Sequence, residues 1–308
     1  MRDLEDLRAT VAREGRIVRV MVVETRGSTP RAAGAAMLVW QDGQSGSIGG
    51  GRLEHEATHD ARVMLAGGGH RRVLRQALGP ALGQCCGGAV VLVFEAFESS
   101  DVERATEALT HSGCWARPIE KGDGNPPNAA LSDIGPPVEW SDGWLIERRS
   151  AVRPVVIHGA GHVGRALALV LAPLPDLGIM LADARTELLQ GLPMRIELSN
   201  DPLRAITKAP DTAAHVIVTH DHALDLELCH RLLSRHFAGA GLIGSASKWT
   251  RFRQRLLALG HADTQISRIS CPIGDPDLGK HPQAIALGVA AAIIKGADAK
   301  ATDRRRTA

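Results

Sequence analysis

Residues 155–158 read as a short apolar strand, and Gly159-Ala160-Gly161-His162-Val163-Gly164 follows without a break. A helical pattern then runs over residues 163–171. G-x-G-x-x-G in that setting leaves few folds open. The first glycine allows a tight turn, the second lets the backbone approach a phosphate, and the third lets helix and strand pack closely. Asp183 lies 19 residues beyond Gly164, at the end of the next predicted strand over 178–183. A carboxylate there would bind a ribose hydroxyl pair. Further strands are predicted over 195–198, 216–219 and 241–243, with helices over 224–236, 248–259 and 282–295. Such alternation argues for a parallel sheet with helices on both faces, a Rossmann-like fold.

The first half reads differently. A helix over residues 1–15, strands over 17–24 and 35–40, and a helix over 52–65 precede an apolar strand over 89–97 and a helix over 101–110. Residues 121–143, rich in Gly, Pro, Asn and Asp, read as turns and loop. A polar stretch ending in Pro154 places the domain join near Arg149. The expected fold class is therefore α/β: an N-terminal mixed α/β domain over 1–149, then a Rossmann-like doubly wound parallel-sheet domain over 150–308.

Composition narrows the partners. A net charge of +2, no Tyr and nine Phe plus Trp supply neither the field nor the stacking surfaces of a nucleic-acid binder. No apolar run approaches the roughly 20 residues of a membrane span, so no membrane partner is expected. The charged N-terminus lacks an apolar signal core, which makes the cytoplasm the expected location. Five cysteines without framework spacing argue for reduced thiols.

Gly83-Gln84-Cys85-Cys86-Gly87-Gly88 is the most unusual chemistry in the chain. Two thiols between glycines have little side-chain cover, so a thiolate there would bind a soft metal or carry sulfur. The competing reading is a pair of small core residues. Gly46-Ser47-Ile48-Gly49-Gly50-Gly51 runs into the helix over 52–65. Free N–H groups at a helix start favour an anion, against the plainer reading of a flexible turn. His55-Glu56-Ala57-Thr58-His59 matches H-E-x-x-H, yet Arg52, Glu54, Asp60 and Arg62 surround it and no third ligand is evident. A solvated helix face is the better reading. His220-Asp221-His222 with Asp225 falls at the carboxyl end of a predicted strand, the edge where open α/β sheets bind ligands. Helix capping by Asp221 is the alternative.

These segments together resemble the XdhC family of accessory proteins in xanthine dehydrogenase maturation. The resemblance rests on Gly27-Ser28-Thr29-Pro30-Arg31 with Gly34, the 46–51 loop with Leu53-Glu54, the 83–88 stretch and the 159–164 loop. Thr219-His220-Asp221-His222 with Asp225, Ile243-Gly244-Ser245 with Lys248, and Cys271-Pro272-Ile273-Gly274 complete it, in the family's order. Two departures stand out. Asp275 to Lys280 replaces the family's longer Gly-rich link, and Thr29 stands where the family usually has Ser.

The resemblance implies a molybdenum cofactor (Mo-molybdopterin) as bound cargo, held while its molybdenum gains a sulfido ligand and then handed to xanthine dehydrogenase. It implies a cysteine desulfurase as sulfur donor, and a homodimer. A maturation chaperone is expected rather than a stand-alone enzyme. The candidate cofactor contacts are Cys85, Cys86, Gln84, Gly49, Gly50, Gly51, Arg31, Gly159, Gly161, Gly164, His220 and Asp221, with Cys85 or Cys86 towards molybdenum. The rival reading is an NAD-dependent oxidoreductase built on Gly159–Gly164, which no obvious hydride-transfer acid or base accompanies. Fold alone does not decide between them.

Overall fold

Apolar runs rich in Val and Ile form the central strands, and amphipathic stripes dictate the helices laid on them. The computed structural model describes residues 2–79, 87–120, 127, 135–149 and 152–306. The chain divides into two compact units, Met1–Ser150 and Ala151–Ala308.

In the first unit, β1 (Ile17–Arg26) and β5 (Ala89–Phe97) are the apolar runs of the sequence, and they pair antiparallel at the centre of a five-stranded sheet. β2 (Ala36–Trp40) and β3 (Gly43–Gly46) extend it on one side, and β4 (Arg71–Ala77) closes the other, in the order β3-β2-β1-β5-β4. α2 (Gly51–Ala66) lays Leu53, Ala57, Ala61 and Met64 over one face, against Val18, Val20, Met37 and Phe94. α1 (Arg2–Glu14) and α3 (Ser99–His111) pack Leu7, Val11 and Val102 against Ile17, Leu38 and Phe97. β6 (Cys114–Pro118), β7 (Val138–Ser141) and β8 (Trp144–Arg148) form a second, antiparallel sheet in the order β6-β8-β7. The strand at Val138–Ser141 corrects the expectation of loop over 121–143; of that stretch, residues 121–126 and 128–134 lie outside the described residues.

A buried cluster of four charges ties the two sheets together. Arg19 of β1 donates to Glu95 of β5 at 3.1 Å and to Glu147 of β8 at 2.6 and 2.9 Å. Arg117 of β6 donates to Glu95 at 2.7 Å and also bonds Glu147, while its guanidinium lies 3.4 Å from the Trp115 ring centroid. Burial alone would raise the Glu147 carboxyl, but Arg19 and Arg117 overrule it and hold it down at about 2. Two guanidinium groups facing two carboxylates leave the cluster neutral, which is what makes its burial tolerable.

The second unit carries six parallel strands in the order β11-β10-β9-β12-β13-β14. They are β9 (Arg153–His158), β10 (Leu177–Ala182), β11 (Ile196–Ser199), β12 (Ala214–Ile217), β13 (Gly239–Leu242) and β14 (Ile269–Ser270). α4 (His162–Leu171) and α9 (Pro282–Arg306) share one core with Ile157, Leu181 and Val216. α6 (His222–Leu233) and α7 (Ala246–Ala258) share a core with Ile217 and Leu242, and short α8 (Asp263–Ile266) leads into β14. α5 (Pro202–Lys208), absent from the sequence expectation, covers Val156, Met180 and Ala182 with Ala205. This is the Rossmann-like doubly wound sheet expected from the sequence.

A pair of histidines sits inside that sheet. His158 of β9 and His215 of β12 stack with ring centroids 5.3 Å apart, and a 3.0 Å hydrogen bond joins His158 Nε2 to His215 Nδ1. Both are buried. Burial, and the charge His215 would carry, push His158 down to about 3; burial and then Arg235 push His215 down to about 4.

Candidate functional site

In the first unit the motifs gather at one end of the main sheet. β1 changes register with β5 between Val22 and Glu24 and runs on to Arg26, which opens the segment Gly27-Ser28-Thr29-Pro30-Arg31. Gly88 lies against this backbone. A Cβ on it would fall 2.3 Å from the Ser28 carbonyl oxygen and 2.5 Å from that of Arg26, so only glycine fits. Gly88 also accepts the Leu78 N–H at 2.8 Å, which closes the base of the β4–β5 connection. Gln84, Cys85 and Cys86 belong to that connection in sequence and lie outside the described residues. From the other side, Gly49 packs on Pro30, where a Cβ would meet the ring at 2.6 Å. Three segments distant in sequence thus share one sheet end, with Arg31 exposed among them.

The glycine loop itself departs from expectation. Gly49, Gly50 and Gly51 take φ of 129°, 76° and 65°, a left-handed run that other residues rarely adopt. Their cradle is occupied by the chain's own carboxylate. Glu54, in the first turn of α2, accepts from Ser47 Oγ at 2.6 Å and from the N–H groups of Ile48 and Gly50 at 3.0 Å each. The Gly49 N–H donates to Ser47 Oγ at 3.1 Å. Burial would raise the Glu54 carboxyl, but the Ser47 hydroxyl and the loop amides hold it below its ordinary value. The expectation that the amides of Gly49 and Gly50 stand free for a phosphate gives way to a self-capped loop. The Glu54 signal is in the sequence, the third residue of the predicted helix over 52–65, among charges that read as a solvated face.

H-E-x-x-H behaves as a solvated face. His55 and His59 are exposed on α2, and among the described residues no group of three or more His, Cys, Asp or Glu is arranged to hold a metal.

In the second unit the glycine fingerprint and the His-Asp-His segment meet. Gly159, with φ 116°, lies against the chain after β12: a Cβ would fall 2.6 Å from the Val218 carbonyl oxygen and 3.0 Å from Thr219 Cα. Gly164 fits under Gly159, where a Cβ would lie 1.8 Å from its carbonyl oxygen. Gly161 precedes the first turn of α4. Asp221 caps α6 through the Ala223 and Leu224 N–H groups at 2.7 and 3.3 Å, and His220 stands exposed beside it.

Asp183 does not stand ready for a ribose. Its carboxylate accepts the Ala160 N–H at 2.7 Å and three donors of Arg185 at 2.8–3.0 Å. Burial would raise it, but Arg185 and the Ala160 N–H hold it down at about 2. A ribose hydroxyl pair would have to compete with Arg185 for this carboxylate, which weakens the part of the dinucleotide reading that rests on Asp183.

Sequence reasoning gave Asp225 and Lys248 no partners. Asp225 is buried, accepts from Thr219 Oγ1 at 2.6 Å and meets Lys248 Nζ at 2.5 Å. Lys248 reaches it by lying over Gly244, where a Cβ would fall 2.8 Å from its Cδ. The pair pins the loops after β12 and β13. Cys229 and Cys271 flank it, and burial raises their thiols to about 12 and about 11. Burial thus favours the neutral thiol at both positions.

Two family models match the chain. The family model described as the XdhC Rossmann domain matches residues 155–293, and the one described as the XdhC and CoxI family matches residues 10–76. The protein YqeB of Escherichia coli strain K12 is 28% identical over 287 residues, covering 89% of this chain and 42% of YqeB. The chain therefore spans less than half the length of that relative. A crystal structure described as a xanthine dehydrogenase from Bacillus halodurans aligns with a TM-score of 0.73 over 96% of each chain at 19% identity, which shows a shared fold.

Proposed function

The chain belongs to the XdhC family, and from that premise we propose that it is an accessory protein of xanthine dehydrogenase maturation whose cargo is the molybdenum cofactor. The cofactor is held while its molybdenum gains a sulfido ligand, with sulfur from a cysteine desulfurase, and is then passed to the dehydrogenase. One observation carries the reading. Gly88, Gly27–Arg31 and Gly49 meet at one sheet end, and Gly87 follows the two thiols directly in sequence. A soft metal and a phosphate on one molecule need soft sulfur and positive charge on one surface. In this reading Cys85 or Cys86 faces molybdenum and Arg31 faces the phosphate. The self-capped loop packs Gly49 on Pro30, next to Arg31. Acting as a homodimer in the cytoplasm belongs to the same proposal.

The test is anaerobic binding of molybdenum cofactor to purified wild type, to the Cys85→Ala/Cys86→Ala double variant and to Arg31→Ala. We expect saturable wild-type binding, at least tenfold weakened in the double variant and more modestly in Arg31→Ala. Full affinity in the double variant would remove the thiols from the site. Absence of binding by folded wild type would remove the cargo.

A further inference from the structure

The second unit carries a groove that the reading above does not use. It has a volume of about 580 Å³ and lies at the carboxyl ends of β10 and β11, between the turn after β10 and helix α5. Ligands of open α/β sheets bind at that edge. Leu189 and Leu198 give it an apolar floor, Gln190 and Asn200 put amides at its wall, and Arg204 and Lys208 put two cations on its rim. None of its ten lining residues is acidic. Arg204 and Lys208, four apart on α5, share a helix face, and neither has an acidic partner among the described residues. The turn is held in place, because Arg165 donates to the carbonyl oxygens of Gln190, at 3.0 Å, and Leu188. The Asp183 N–H, which donates to the Ser199 carbonyl oxygen at 3.0 Å, ties the β10 end to the β11 end.

We propose that this groove binds the phosphomonoester end of a nucleotide. Two unpaired cations match the near-double charge of a phosphomonoester at neutral pH. Apolar floor and amide wall match the face and edge of a heterocyclic base. Inorganic phosphate would leave the floor unused, and a neutral nucleoside would leave the cations unused. The carboxylate that usually selects a dinucleotide ribose is turned inward onto Arg185, so recognition shifts outward to this groove. The proposal is independent of the cofactor reading, which rests on the first unit.

Calorimetric titration of the full chain with 5′-AMP, 2′-AMP, adenosine and inorganic phosphate tests it. At least one of the two monophosphates should bind saturably, at least tenfold tighter than either adenosine or phosphate. Arg204→Glu/Lys208→Glu should weaken that binding at least tenfold, and the milder Arg204→Gln should weaken it less. Both positions are exposed, and circular dichroism checks that the variants remain folded. Affinity should also fall with rising salt. Three results would overturn the proposal: no saturable binding of either monophosphate up to about 10 mM, where even a contact worth roughly 3 kcal/mol would register; phosphate binding as tightly as AMP; or undiminished AMP binding by the folded double-charge variant.

Discussion

Acid should loosen the centre of the second unit in a way set by two residues. His158 and His215 are held at about 3 and about 4 in the fold, against an ordinary value of 6.5. Between those limits the unfolded chain takes up protons that the folded chain refuses. Stability is then fully present above about pH 6.5 and falls as the pH drops towards the folded-state values. At pH 5.0, about 1.5 units below 6.5, one such histidine costs about 2 kcal/mol, or about 30-fold in the opening equilibrium. If both act, the cost is about 4 kcal/mol, or about 1000-fold. That is a large part of the roughly 5–15 kcal/mol that holds a domain together. Hydrogen exchange read by mass spectrometry on peptides carrying β9 and β12 isolates this unit from the other. After correction for the intrinsic pH dependence of exchange, protection should fall by about 30-fold to 1000-fold between pH 7.5 and 5.0. His158→Gln should shrink that fall by about 30-fold. An equal fall in wild type and variant, or a His158 ring titrating near 6.5 by NMR, would refute the argument.

Three further outcomes follow from the geometry. Glu54→Ala strips the acceptor from the Ser47 hydroxyl and two loop amides; it should cost about 1–3 kcal/mol and open residues 46–51 to proteolysis, whereas Glu54→Gln should keep part of the cap. Lys248→Met leaves Asp225 charged and buried, for a loss of about 3–5 kcal/mol. Adding Asp225→Leu should restore much of the melting temperature, and failure of the double variant to recover would show that the pair does more than neutralise charge. Gly164→Ala would place a methyl on the Gly159 carbonyl oxygen, so the variant should be poorly soluble or lack the ordered second unit by circular dichroism.

Local signals were legible in the sequence, and pairing over distance was not. The run over 89–97 reads as a strand because it is apolar but for Glu95 and carries three valines. β4 escaped notice because Arg71, Arg72 and Arg75 make it look like surface, and as an edge strand it is mostly surface. β6 and β8 carry Arg117 and Glu147, whose burial makes sense only once each meets its opposite charge. α5 spans seven residues behind an Asp201 cap and a first-turn proline, too short for periodicity to show. At the candidate site the glycines were readable because each marks a close approach. What fills the space was not: Glu54 in the loop, Arg185 on Asp183 and Lys248 on Asp225 are choices among several nearby charges that only three dimensions resolve.

Under the carrier role proposed above, the carboxylate inside the 46–51 loop bears on release. A loop shaped by its ligand collapses or floods when the ligand leaves, and both slow the exchange. Here the donors of Ile48 and Gly50 are satisfied by Glu54, from within the chain itself. On that role, an empty and a loaded form could share one loop conformation, and the dwell time of a passenger would depend on its own contacts. Handover to a recipient would then be competition for the passenger, with no rearrangement of the loop to wait for.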